Sequence, residues 1–66
     1  METFSQRLKE LRLEKGLSQA ALAKEVVLSQ SAIKQWENDS RVPNANAVIA
    51  LAVFFDVTTD YLLGRE

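Results

Sequence analysis

Residues 28–39 read LSQSAIKQWEND. Ser29 is a good N-cap, so a helix from about Gln30 to Asn38 follows. With Gln30 set at zero and roughly 100° per residue, Lys34 falls at about 40°, Asn38 at about 80°, Ser31 at about 100° and Gln35 at about 140°. Ala32, Trp36, Ser29 and Ile33 fill the arc from about 200° to 300°. The two sets do not overlap. One face is apolar and suited to burial. The other carries hydrogen-bonding groups and an ammonium without a carboxylate, and Glu37 sits at the border.

Upstream, Ser18 caps QAALAKEV, residues 19–26, in which Leu22 and Val26 lie one turn apart and face inward. Ala20, Ala21 and Ala23 are small enough for another helix to approach closely. Only Val27 and Leu28 remain for the turn into Ser29. Further upstream, Thr3 and Gln6 have capping-box spacing. Phe4, Leu8 and Leu11 then recur at helical spacing as one buried stripe, and Gly16 supplies a left-handed stop. This first helix covers about residues 3–15. Thr3, Ser5 and Ser18 read as capping or surface groups, and Trp36 as core.

Downstream, NDSRVPN is a loop, because Pro43 disfavours helix at Val42. Asn44 can cap a fourth helix over about 45–55. A short fifth helix, capped by Thr58 or Thr59, turns Leu62 inward and stops at Gly64. Tyr61 and Asp60 carry no functional signal and default to an exposed cap.

The totals narrow the function. The chain has 66 residues, a formal net charge of −1, no cysteine and no histidine. One domain, 1–66, is expected. Cys/His metal sites and disulfides are excluded, and the usual general base is missing. There is no glycine-rich phosphate loop and no pair of inward carboxylates at usable spacing, so no enzyme and no cofactor are expected. The longest apolar run, AVIALAVFF at 47–55, is too short to cross a bilayer. A cytoplasmic setting is expected. The small negative charge argues against a general polyanion binder but leaves room for a local basic surface.

Taken together, Gln19, Ala23, Leu28, Ile33 and Trp36, with WEN at 36–38, resemble the helix-turn-helix of the Cro/C1-type (XRE-like) DNA-binding domains. The likeness extends through RLKELRLEKGLSQAALA and VTTDYLLG and covers almost the whole chain. It implies an all-α, compact five-helix, lambda-repressor-like fold. The third helix would enter the major groove of double-stranded operator DNA while the second lies across the backbone. On that resemblance Gln30, Ser31 and Gln35 fall on base-contacting positions. Gln19, Asn38 and Arg41 fall on phosphate-contacting ones, and Arg12 and Glu37 match a buried salt bridge between helices 1 and 3. The chemistry agrees. A glutamine amide matches the N6/N7 edge of adenine, and Lys34 can reach a guanine edge or a phosphate. Lys34 joins the expected base readers. The implied role is a repressor-like prokaryotic or phage transcriptional regulator, with no small-molecule ligand and no membrane partner evident. A polar helix face alone signifies only a solvated surface; the pattern around it favours DNA contact.

Two features depart from that pattern. Val27 occupies the turn position where the family usually has glycine. The turn then takes another geometry, helix 2 runs on, or the valine is an introduced change. Helix 4, ANAVIALAVFF, has no charged residue. Val48, Leu51, Ala52 and Phe55 explain one buried stripe, while Ile49, Val53 and Phe54 lie outside it and are expected at a homodimer interface. The alternative function is an interaction or dimerisation module on the same fold, acting through helix 4 with weak DNA affinity.

Overall fold

The computed structural model describes residues 3–66. Five helices follow in order: α1 Phe4–Glu14, α2 Gln19–Val26, α3 Gln30–Glu37, α4 Ala45–Phe55 and α5 Thr59–Leu62. There is no strand among the described residues. Each helix begins where a side-chain oxygen accepts a backbone N–H of the first turn. The caps are Thr3, Ser18, Ser29, Asn44 and Thr58. Such a cap is worth about 1 kcal/mol, so five of them fix the helix starts in so short a chain. Thr3 also forms the reciprocal bond of a capping box, its N–H donating to Gln6 Oε1 at 2.9 Å.

The helix ends share a device too. Leu17, Leu28, Ser40, Val57 and Arg65 each donate a backbone N–H to the carbonyl five residues back. That closure needs the preceding residue in the left-handed region. Those residues are Gly16, Val27, Asp39, Asp56 and Gly64, all with positive φ. Glycine fits at no steric cost, and aspartate tolerates the conformation. Val27 does not, because its branched Cβ crowds the following carbonyl.

The turn takes no other geometry, and helix α2 does not run on. Helix α2 ends at Val26, and Val27 itself adopts φ 55 and ψ 47. The closing bond from Leu28 to Ala23, at 2.9 Å, holds it there. Val27 is 88% exposed, so its side chain returns no packing energy for the strain. Val27→Gly is therefore expected to stabilise the domain. Relief of about 1–2 kcal/mol of strain exceeds the added unfolded-chain entropy of about 0.4–1 kcal/mol. A net gain of about 1 kcal/mol raises the thermal midpoint by about 4–8 °C in a domain of this size. A midpoint that falls would show that the valine is not strained.

The core joins all five helices. Its largest fully buried side chains are Leu8, Leu22, Ile33, Leu51 and Leu62, one from each. Trp36 is 3% exposed and meets Phe4 edge to face, with ring centroids 6.3 Å apart. On α1 the buried face is turned relative to the expected stripe. Leu8 is buried, but Phe4 and Leu11 are only partly so, and Ser5 and Arg12 go inside with Leu8. Ser5 is thus not a surface group. Residues 5, 8 and 12 share a face by helical spacing, and that face points inward where Arg12 meets its partner on α3. Tyr61 is half-buried rather than an exposed cap. The Arg7 guanidinium lies 4.0 Å from its ring centroid and donates to its carbonyl at 2.9 Å, tying α1 to α5.

Candidate nucleic-acid interface

Helix α3 is held on one side only. Ala32, Ile33 and Trp36 are buried, while Gln30, Ser31, Lys34 and Gln35 are exposed. Ser29 Oγ accepts the Ala32 N–H at 3.0 Å and starts the helix. The last helical residue is Glu37, one short of the expected end. Asn38 forms the C-cap, because Asp39 must turn left-handed. Asn38 and Arg41 are exposed at this C-terminal end, and Asn38 Oδ1 accepts from Ser40 Oγ at 3.2 Å. Gln30, Ser31 and Gln35 thus share a rigid outward surface, with Lys34 and Asn38 further along it.

Arg12 and Glu37 meet between α1 and α3. Arg12 Nε donates to Glu37 Oε2 at 2.6 Å and its NH2 group donates to Oε1 at 2.8 Å. The remaining Arg12 nitrogen donates to the Leu17 carbonyl at 2.8 Å. The two side chains are 10% and 5% exposed. A planar guanidinium fits a carboxylate in this two-pronged manner, which a lysine cannot reproduce. The hydrogen bonds to Glu37 push the Arg12 pKa up, against the opposing effect of burial, and the carboxylate's charge adds to the rise. A raised pKa on a cation means that the pair's contribution is complete below arginine's ordinary range. It is lost only as pH climbs past the folded value, far above neutrality.

Gln19 joins this network. Its Nε2 donates to Glu37 Oε1 at 3.1 Å. An ionised carboxylate only accepts, so the amide must turn its nitrogen toward Glu37, and that nitrogen carries a second N–H. The start of α2 is therefore registered against the end of α3 by one carboxylate.

Around the network lies a polar cleft of about 260 Å³, lined by Lys9, Arg12, Gln19, Lys34, Glu37 and Asn38. From sequence alone Lys9 has no assigned role. Its spacing of three from Arg12 is the signal that places both on neighbouring parts of one helix face. That spacing acquires meaning only once Arg12 is known to point at α3.

The apolar residues of α4 divide. Ile49 and Val53 are 53% and 74% exposed and lie one turn apart. Phe54 is half-buried. Its ring packs edge to face on Phe55 with centroids 5.1 Å apart, and Lys15 Nζ sits 5.4 Å from its centroid. Ile49 and Val53 form one surface, and Phe54 stands apart from it. Beside Ile49 a groove of about 350 Å³ is lined by Pro43, Ala45, Val48, Thr59 and Leu63 as well. No helix of the described residues is long and apolar enough to cross a membrane.

Known proteins resemble this chain in sequence and in fold. The chain is 38% identical over 63 residues to the HTH-type transcriptional activator BcrR of Enterococcus faecalis, covering 96% of this chain and 31% of that protein. It is 36% identical over 62 residues to repressor protein C2 of Salmonella phage P22, covering 94% of this chain and 29% of that one. The chain thus spans less than a third of either relative. Among solved structures, the P22 c2 repressor in complex with a synthetic operator superposes with a TM-score of 0.91 at 33% identity, over the whole of both chains. The restriction-modification controller protein C.AhdI from Aeromonas hydrophila gives 0.83 at 37% identity, over 91% of each. The family model for the helix-turn-helix matches residues 8–62. With α2 and α3 at its centre and the match extending from α1 to α5, the chain belongs to the helix-turn-helix family of Cro/C1-type regulators.

Proposed function

We propose that this chain is a sequence-specific DNA-binding domain of a prokaryotic or phage transcriptional regulator. Helix α3 enters the major groove, and α2 crosses the phosphate backbone. The observation that carries this reading is the outward face of α3. Gln30, Ser31 and Gln35 are all exposed there, on a helix whose opposite face is locked into the core. Gln30 and Gln35 offer a donor and an acceptor side by side to an adenine edge, and Ser31 pairs with either kind of group. Lys34 reaches a base edge or a phosphate. Gln19, Asn38 and Arg41 hold the backbone and fix the register. The likeness to a repressor solved on an operator supports the same reading. The domain acts as one unit over 1–66, in the cytoplasm, with neither a catalytic role nor a cofactor.

Selection of bound sequences from a pool of random duplexes tests this directly. A recovered consensus supports the reading, and enrichment of no sequence would overturn it.

A homodimer through the exposed side of α4 would present two copies of α3 to two half-sites. Val53 is open to solvent in the single chain, so Val53→Glu leaves the monomer's fold intact. At a subunit interface the same carboxylate would be stripped of water without a partner. The variant is expected to sediment as a monomer where the parent sediments as a dimer. Equal sedimentation of a dimeric parent and its variant would remove this face from the interface.

The exposed Ile49 and Val53 also motivate the second reading, an interaction module with weak DNA affinity. Salt separates the two. DNA binding falls with a log–log slope of about −0.9 per phosphate neutralised, whereas an association driven by apolar burial hardly responds.

A further inference from the structure

The cleft between α1, the start of α2 and the end of α3 carries an excess of positive charge that the fold does not consume. Glu37 is its one carboxylate, and Arg12 already neutralises it. Lys9 and Lys34 remain, both exposed and neither in an ion pair among the described residues. They come from different helices, α1 and α3, and border the same opening. Two ammonium groups repel each other, so their shared opening favours an anion. Gln19 and Asn38 add amide donors at the rim, and Gln19 is fixed in orientation by Glu37.

We propose that Lys9 and Lys34 together clamp one phosphodiester of the DNA backbone over this cleft. Lys34 is then a backbone contact and not a base reader, and α1 takes part in binding through Lys9. The inference rests on the DNA-binding reading above and assigns it a further pair of residues. Lys34 lies one turn beyond Gln30 toward the C-terminus of α3, about 6 Å along the axis, and Asn38 lies one turn further. Gln30 and Ser31 lie in the first turn of the outward face, and Gln35 lies about 100° around the axis from Lys34. Lys34 and Asn38 border the cleft, with α1 and α2 beside them, and form the backbone seat. Base discrimination narrows to Gln30, Ser31 and Gln35.

The test combines salt titration with duplex selection on Lys9→Gln, Lys34→Gln, Lys9→Arg and a distant control, Lys15→Gln. The probes are the most enriched duplex from the parent's selection and an unrelated duplex of equal length. Lys9→Gln is expected to flatten the log–log salt slope on both duplexes by part of the roughly 0.9 that the shared phosphate contributes, and to weaken binding severalfold, up to about eightfold, at 0.1 M salt. Lys34→Gln is expected to do the same and to recover the parent's consensus. Lys9→Arg keeps the charge and is expected to keep the slope. All the altered side chains are exposed, and matching thermal melts check that the fold is intact.

An unchanged slope in Lys9→Gln, with a parent that binds its consensus, overturns the clamp and leaves the DNA reading standing. A consensus altered at one base pair in Lys34→Gln makes that lysine a base reader and also overturns it. An equal loss of slope in Lys15→Gln would mean that only bulk charge is at work, and the clamp would fall in that case too. A parent that binds neither duplex removes the DNA reading and the clamp together.

Discussion

Replacement of Glu37 by alanine is expected to cost about 3 kcal/mol of folding stability, the loss typical when one member of a buried ion pair is removed. The loss follows from what remains. Arg12 would keep its charge at 8% exposure, with only the Leu17 carbonyl still accepting from it. Gln19 would lose its acceptor as well. The pair borders a cleft rather than the centre of the core, so water can relieve part of the penalty, which keeps the loss at the low end of the range. A domain of 66 residues has a total stability on the order of 3–10 kcal/mol, so the variant should lose about a third of it or more. A urea midpoint measures this. A loss under about 1 kcal/mol would mean that the pair behaves as a solvated surface bridge. The double replacement Arg12→Met with Glu37→Leu removes both charges and should recover most of the loss, since an apolar pair of similar volume is often as stable.

Gln30→Ala should act on recognition and not on folding. Gln30 is exposed at the first position of α3, and the helix start depends on Ser29 and not on it. The alanine variant is expected to lose preference at one base position by about 1–3 kcal/mol, between roughly fivefold and 150-fold in relative affinity. Preference elsewhere in the site should persist. Duplex selection with parent and variant reads this position by position, and a thermal melt reads the fold. Unfolding would show that Gln30 supports the structure. An unchanged consensus would remove it from the base readers.

The two substitutions divide the polar residues of α3 by task. Glu37 sits in the same helix as Gln30, and a free carboxylate can accept from a cytosine edge. Here both carboxylate oxygens already accept, from α1 and α2. Gln30 faces outward instead. The distinction matters because a carboxylate facing phosphates would oppose binding. Burial against Arg12 takes that charge out of the interface.

Much of this could be read from residues alone. The caps at Thr3, Ser18, Ser29 and Asn44, the stop at Gly16 and the inward set of Ile33 and Trp36 are local matters. Each depends on a side chain within a few positions of the backbone it serves, so periodicity and cap chemistry suffice. The turn of α1 about its axis was not legible in its periodicity, because Ser5 and Arg12 are polar; only the family resemblance pointed to the buried bridge of Arg12, and nothing pointed to Ser5. The partner of Arg12 lies on α3, 25 residues away in sequence, and Ser5 follows because it sits two turns before Arg12 on the same face. Phe54 illustrates the same limit. An apolar position outside the main stripe of α4 signals an exposed patch, but α1 happens to end beside it and Lys15 covers its ring.

Sequence by itself determined that five capped helices form, where four of their five starts fall, and which face of α3 stays polar. Backbone hydrogen bonding and helical periodicity act over one or two turns, and that range is written in consecutive residues. Tertiary structure alone decided that Val27 stays left-handed despite its branched side chain, that Glu37 also accepts from Gln19, and that Lys9 and Lys34 border one cleft. Those outcomes depend on which surfaces meet when separate helices pack, and the energy of a contact between distant segments has no period to betray it.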